Sequence, residues 1–295
     1  IHWHGMHVAP QNDGGPHTVI LPGTTWQPQF TVMDNAATYW YHPHLHKKTA
    51  VHVTKGVAGF IIVRDNQEAT LKLPRKYGID DFPIVIQSRA FDASKQFIVR
   101  SELDSVILVN GTKNPFLQVP AQIVRLRLLN GSTERTYNFG FKGNKSFYQI
   151  GGDGGLLNSS VLLTRLRLAP GERAEILVDF GSMQGQSTYL MSYASELASG
   201  IIGASSVGMG GGLPDYSNNK LNGADFNILR IDVIAPTANA VTSVPSSLII
   251  NNPFSASSAN VTRVLTFTSN GGMMSAVGPF VINGTPFSMD KINYN

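Results

Sequence analysis

The sequence predicts an all-β protein built of Greek-key sandwiches. Two observations carry that expectation. Short runs of β-branched and aromatic residues recur along the 295 residues, bounded by turn residues and numbering about seven per unit. Glycine (29) and proline (16) are plentiful while charged residues make up only 14%, the composition of strands and loops. A strand pattern that occurs twice then divides the chain into units.

The elements follow in order. Residues 1–5 read as a short strand and 12–16 as a turn, with Gly14-Gly15 supplying backbone freedom. Residues 25–33 place Trp26, Pro28, Phe30 and Val32 on alternate positions, the period of a half-buried strand. Residues 37–42 form the next strand, 44–55 a polar loop or one helical turn, and 59–63 (Gly-Phe-Ile-Ile-Val) a buried strand. A charged connector with Pro74 leads to further strands at 83–88, 106–110, 123–130, 137–141, 148–150, 165–168, 173–179, 188–193 and 227–233. Within 123–129, Val124, Leu126 and Leu128 alternate with Arg125 and Arg127. Residues 199–212 are a Gly/Ser loop, 235–260 a Pro/Ser/Asn-rich crossing, and 263–269 a new strand.

The repeat sets the organisation. Thr38-Tyr39-Trp40-Tyr41-His42 is echoed by Thr188-Tyr189-Leu190-Met191-Ser192, and Leu21-Pro22-Gly23 by Leu168-Ala169-Pro170-Gly171. Residues 137–141 then fall where 1–5 stand in the first copy. The second copy keeps the strand grammar and has no histidine. A separate motif, Val109-Asn110-Gly111-Thr112, returns as Ile282-Asn283-Gly284-Thr285. The expected division is a first unit over 1–65, a connector over 66–82, a second unit over 83–235, a linker over 236–262 and the opening of a third unit over 263–295. The chain begins on a motif, without methionine or the strand that pairs with the first, so residue 1 reads as a cut point.

Histidine carries the chemistry. The eight histidines are His2, His4, His7, His17, His42, His44, His46 and His52, with none beyond. Alternate residues of a strand share a face roughly 6.5–7 Å apart, so His2 pairs with His4 and His42 with His44. Two such strands side by side converge four imidazoles, a donor set suited to copper or zinc. A single H-x-H pair is an ordinary surface strand; two pairs beside Trp3 and Trp40 point to metal. His7, His17 and His52 have no partner at ligand spacing and read as structural or surface residues. Trp3 and Trp40 read as packing around the site.

His2-Trp3-His4-Gly5 followed by Trp40-Tyr41-His42-Pro43-His44 resembles the first two copper motifs of the multicopper oxidases, nearest to bacterial laccases and cuprous oxidases. The likeness continues through Asn12-Asp13-Gly14-Gly15-Pro16, Gly56-Val57-Ala58-Gly59, Gly78-Ile79-Asp80-Asp81, Asp153-Gly154-Gly155-Leu156 and Pro170-Gly171-Glu172-Arg173. The resemblance implies cupredoxin-like sandwiches. It implies His2 as a type 2 copper ligand, His4 and His42 as ligands of one type 3 copper, and His44 of the other. It also implies proton delivery by Asp13, a residue that can equally cap its own turn. His46 is the third histidine of the run and is not used by the family motif. The expected activity is one-electron oxidation of phenols, aromatic amines or metal ions coupled to reduction of dioxygen to water, in the periplasm or outside the cell.

The same resemblance marks what this chain lacks. A type 1 copper takes two histidines and a cysteine, and there is no cysteine. The trinuclear cluster takes four H-x-H pairs, of which two are here; the rest are expected from a missing C-terminal domain. The 1–295 chain alone is therefore expected to be inactive. Met273-Met274 falls where cuprous oxidases carry a methionine-rich insert, but two residues are not such an insert. The net charge of +4 has no dense basic block and argues against nucleic acid. No apolar run approaches the ~18–20 residues that span a bilayer. A different class remains open, a non-enzymatic cupredoxin-repeat scaffold. A zinc hydrolase is disfavoured because no His-Glu-x-x-His helix is present.

Overall fold

A computed structural model describes residues 1–99, 103–207, 215–269 and 280–290. The histidine-bearing unit is a three-stranded antiparallel sheet of β1 (His2–His4), β2 (Ala37–His42) and β3 (Gly59–Val63), with β2 in the middle. Three short helices flank it: α1 (Pro10–Asp13), α2 (Thr49–Thr54) and α3 (Asn66–Ala69). Proline stands in the first turn of α1, where its missing N–H costs nothing. Gly14 ends that helix in the left-handed region (φ 67), which is the use the turn makes of its glycine.

Residues 25–33 are not a strand; they are extended without ladder pairing. The alternation is nonetheless physical. Trp26, Pro28 and Phe30 are half-buried while their neighbours are exposed, and Trp26 and Phe30 pack on Trp3 with ring centroids 6.3 and 5.6 Å away. A two-residue period reports one-sided burial of extended chain. A ladder also needs a partner strand, and none among the described residues lies alongside.

The next unit is a two-sheet sandwich. One sheet holds β4 (Asp81–Phe91), β5 (Phe97–Ile98), β6 (Val106–Val109), β7 (Thr112–Lys113), β9 (Ile123–Asn130), β11 (Phe147–Gly152), β12 (Gly155–Leu163) and β14 (Arg173–Asp179). The other holds β8 (Phe116–Pro120), β10 (Tyr137–Phe141), β13 (Leu166–Leu168), β15 (Ser187–Ser192) and β16 (Phe226–Ile234). Their facing sides form the main core. Ile84, Ile86, Leu126, Leu128 and Ile176 come from the first, Tyr137, Phe139, Phe141, Leu190 and Ile231 from the second.

The strand registers carry the repeat into three dimensions. β1 pairs with β2 so that His2 faces His42 and His4 faces Trp40. β10 pairs with β15 so that Phe139 faces Ser192 and Phe141 faces Leu190. Aligning Thr38 with Thr188, the positions of His2, His4, Trp40 and His42 are taken by Phe139, Phe141, Leu190 and Ser192, all buried, one residue later in β10 than setting 137–141 on 1–5 gives. One pairing geometry thus presents imidazoles in the first copy and closes an apolar core in the second.

A two-stranded sheet, β17 (Phe267–Ser269) with β18 (Phe280–Ile282), follows the crossing segment. The Asn-Gly repeat is structural here too. Asn110 accepts from the Val85 N–H and donates to the Pro83 carbonyl; Asn283 does the same with Thr266 and Val264. Both asparagines have positive φ (48 and 50), and each side chain stands in for a rung of the ladder. Met273-Met274 and the end of the 199–212 loop lie outside the described residues.

Candidate metal centre

Face alternation places His2, His4, Trp40 and His42 together and sends Trp3 and Tyr41 to the other side. Trp3 packs there on Trp26 and Phe30, and its Nε1 donates to the Asn12 carbonyl at 2.9 Å. Trp40 packs against both imidazoles, with ring centroids 4.8 Å from His4 and 4.3 Å from His42. Trp40 packs against the site as expected from sequence, while Trp3 packs on the opposite face of the sheet.

Ring nitrogens of His2, His4 and His42 all lie within 4.8 Å of one another. The tightest pair is His4 Nδ1 and His42 Nε2, 3.1 Å apart. The other nitrogens are largely spoken for. His42 Nδ1 stands 3.0 Å from the Pro43 carbonyl. His2 Nδ1 stands 3.2 Å from the Asp13 carbonyl and 3.0 Å from its carboxylate. An N–H at each Nδ1 is satisfied by the Pro43 and Asp13 carbonyls and leaves Nε2 with its lone pair, an arrangement that orients metal ligands. The Asp13 Oδ1, close to the same His2 ring, has no hydrogen-bond partner. His44 sits outside the tight triad, with its ring 5.2 Å from His2 and 5.6 Å from His42. Its buried Nδ1 has no hydrogen-bond partner.

Burial pushes both His4 and His42 down to about 4. At His4 the Arg173 guanidinium and the other three imidazoles add to the effect; at His42 the Pro43 carbonyl works against it. Both rings are therefore neutral at pH 7, the form that binds a metal.

These donors fit copper. A first-row metal–imidazole bond is about 2.0–2.1 Å, so two nitrogens 3.1 Å apart subtend an angle of about 100° at one ion. An all-imidazole set suits copper, and the orphaned His44 nitrogen is a further donor left open. Of the remaining histidines, His7 and His17 are exposed. His46 stacks on Phe287 with centroids 5.2 Å apart, and His52 lies on α2.

The second unit forms the back wall. A cleft of about 300 Å³ beside His4 and His42 lies between Val53 of α2 and Ser132, Thr133 and Gly171. Gly171 approaches so closely that an added Cβ would be 3.6 Å from Trp40 and 3.7 Å from His4. Behind it, Arg173 donates to the Thr38 carbonyl at 3.2 Å and to the Asp153 carbonyl at 2.9 Å.

The alternation of Arg125 and Arg127 with leucine and valine has an unexpected meaning. Every residue of β9 is buried. The apolar side enters the sandwich core; the arginine side is covered by the histidine-bearing unit. Arg127 forks onto Asp81 at 2.7 and 2.9 Å and reaches Glu175 at 2.7 Å and the Thr38 hydroxyl at 2.8 Å. Thr38 in turn donates to Glu175 at 2.5 Å. Arg125 binds Glu175 and Glu68 of α3, with Arg64 and Arg75 at the rim. Burial pushes the Glu175 carboxyl up, but Arg125, Arg127 and Thr38 outweigh it and hold it below the ordinary carboxylate range. Sequence reasoning missed Thr38, Arg173 and Glu175. The available signal was positional: Glu175 directly faces Arg127, and Asp81 faces Arg125, on neighbouring strands.

Comparison with known proteins follows the same lines. Two family profiles, both described as multicopper oxidase, match residues 1–68 and 86–219. The multicopper oxidase mco of Staphylococcus haemolyticus is 38% identical over 196 residues, covering 65% of this chain and 43% of that protein. The cell division protein FtsP of Xenorhabdus nematophila is 40% identical over 184 residues, 59% of this chain and 38% of its own length. The chain thus spans less than half of those relatives. Among solved structures, the McoA multicopper oxidase 2F4 variant from Aquifex aeolicus superposes with a TM-score of 0.79 at 32% identity, over 96% of this chain and 59% of that one. The laccase-like CueO from Ochrobactrum sp. gives 0.80 at 30%, over 99% and 64%. The folds are cupredoxin-like and all-β, and no helix among the described residues is long and apolar enough to cross a membrane. The sequence spacing puts His44 on a strand face with His42, but β2 ends at His42 and His44 follows it past Pro43. With the His2–His4 pair on β1, His42 at the end of β2 and matching profiles over both units, the chain belongs to the multicopper oxidase family.

Proposed function

We propose that this chain contributes the amino-proximal half of a trinuclear copper centre in a laccase-like oxidase. The observation that carries the reading is the 3.1 Å approach of His4 Nδ1 and His42 Nε2 on directly paired strands. In this reading His4 and His42 hold one type 3 copper, His44 donates to the second, and His2 holds the type 2 copper. Bound copper supplies one-electron redox chemistry and a site for dioxygen. The protein supplies the rest. His2 and His42 are oriented through their Nδ1 contacts, and Trp40 packs against the rings of His4 and His42. Asp13, in contact with His2, is placed to move a proton toward the oxygen being reduced. Phenols, aromatic amines or metal ions are the reducing substrates, and the setting is periplasmic or secreted.

The division of labour among domains belongs to the same proposal. Residues 1–65 carry ligands, 83–235 form a metal-free sandwich, and 263–295 open a third unit. Without cysteine this chain forms no type 1 site, and the 1–295 chain alone is proposed to be inactive. Purified 1–295 should bind copper yet lack the intense blue absorption of a copper–thiolate bond and consume no oxygen with a phenolic substrate. Blue colour or sustained turnover from it would defeat this reading.

A second reading has a specific observation in its favour: FtsP relatives match at about the same identity as the oxidases. In that reading the fold serves as a non-enzymatic scaffold. Copper analysis of the full-length protein separates the two. Near four coppers per chain supports the oxidase, and near zero the scaffold.

A further inference from the structure

We infer that Thr38 is a positioning residue for the His4–His42 pair, gripped by arginines and a glutamate of the metal-free sandwich. This inference rests on the copper reading above.

Thr38, Trp40 and His42 occupy alternate positions of β2 and so share one face. The far end of that face carries the imidazole; the near end carries a hydroxyl that both donates and accepts. It gives its proton to Glu175 at 2.5 Å and receives one from Arg127 at 2.8 Å. The Thr38 backbone is held as well, its carbonyl accepting from Arg173 at 3.2 Å. The residue is fully buried, and so are Arg127 and Glu175. Such a network has little freedom, because each donor already has its acceptor and water cannot substitute.

The grip reaches the imidazoles by contact. Trp40 stacks on His4 and packs at a tilt against His42, and Gly171, two residues before Arg173, lies beside Trp40 and His4. β1 is registered to β2 by direct pairing. Moving Thr38 therefore moves the strand that sets the spacing of His4 and His42. The polar side of this contact is what a purely apolar interface lacks: a hydroxyl and a carboxylate fix the strand along its length, where leucine against leucine permits sliding.

The test is Cu(II) binding to the full chain by competition with a chelator, together with the electron paramagnetic resonance spectrum of the bound ion. H4A/H42A identifies the signal from this pair and melting is followed in parallel. Thr38→Val keeps the shape and deletes the hydroxyl. It should weaken Cu(II) binding about 10-fold, the low end for residues that orient ligands through others, and change the hyperfine pattern. Thr38→Ser should restore both. Arg173→Lys keeps the charge and loses the Nε hydrogen bond to the Thr38 carbonyl; it should give a smaller shift of the same kind, and serves if Thr38→Val does not fold. A lower melting temperature with unchanged affinity and spectrum in these variants would overturn the inference and leave Thr38 a stability residue. If wild type and H4A/H42A bind copper alike, the copper reading itself fails.

Discussion

Asp13 and His2 meet at 3.0 Å, and the chemistry at that contact is separable from folding. Asp13 sits at the end of the one-turn helix α1, half-buried, where the Gly14 cap leaves its carboxylate facing the imidazole. Asp13→Asn keeps an acceptor and removes the charge. It should weaken copper binding by about 10-fold, the usual effect of losing a ligand's outer partner. Its melting temperature should stay close to wild type, because partly exposed ion pairs contribute little. Isothermal titration beside a melting curve tests both halves. Gly171 is the neighbouring case. Its φ of +83 makes Gly171→Ala strained. That variant should lose about 1 kcal/mol or more in denaturant unfolding.

At the scale of the element, the period of β9 is legible in the sequence and its surroundings are not. A strand that alternates Val-Arg-Leu-Arg-Leu is ordinarily half-solvated; here the arginine side is a closed ionic layer. Removing one partner leaves a buried charge uncompensated, so Glu175→Gln should cost about 3–5 kcal/mol. The pH dependence follows from sign. The folded Glu175 carboxyl is held below its ordinary value, so its contribution is complete above the carboxylate range and is lost as pH falls through the folded value. Unfolding free energies of wild type and Glu175→Gln should therefore converge as the pH drops below about 4. A gap that is constant with pH would mean the charge is not the source of the stability.

At the scale of the molecule, the ionic layer couples two units that differ in their optical reporters. All three tryptophans, Trp3, Trp26 and Trp40, lie in the histidine-bearing unit. Tryptophan fluorescence therefore follows that unit, while far-ultraviolet circular dichroism is dominated by the strand-rich sandwich. In wild type the two unfolding curves should coincide, because Arg125, Arg127 and Arg173 bind across the boundary. Arg125→Met removes the buried cation that joins Glu68 to Glu175 and leaves Glu68 only the rim arginines Arg64 and Arg75, so it should move the fluorescence transition to lower denaturant than the dichroism transition. Coincident curves in that variant would show that apolar packing alone couples the units.

Much of this was decided by the sequence alone. The H-x-H spacing, read with a two-residue strand period, puts His2 and His4 on one face without knowledge of the fold; that His42 joins them depends on the pairing of β1 with β2. The strands of the sandwich were legible because apolar runs and turn residues are local signals. Two motifs quoted for their resemblance, Asn110-Gly111 and Asn283-Gly284, proved to be the same hydrogen-bonded hairpin. Other features needed the tertiary structure. Residues 25–33 carry the pattern of a strand, but pairing is a property of a neighbour and not of the segment. Arg125 and Arg127 look like a solvated face because sequence gives the period of burial and not what covers it. Thr38 looks like any β-branched strand residue until Arg127, Glu175 and Arg173, each at least 89 positions away, close on it. Strand period fixes which residues share a face; only the packing of one unit on another decides whether that face meets water, a metal or buried charge.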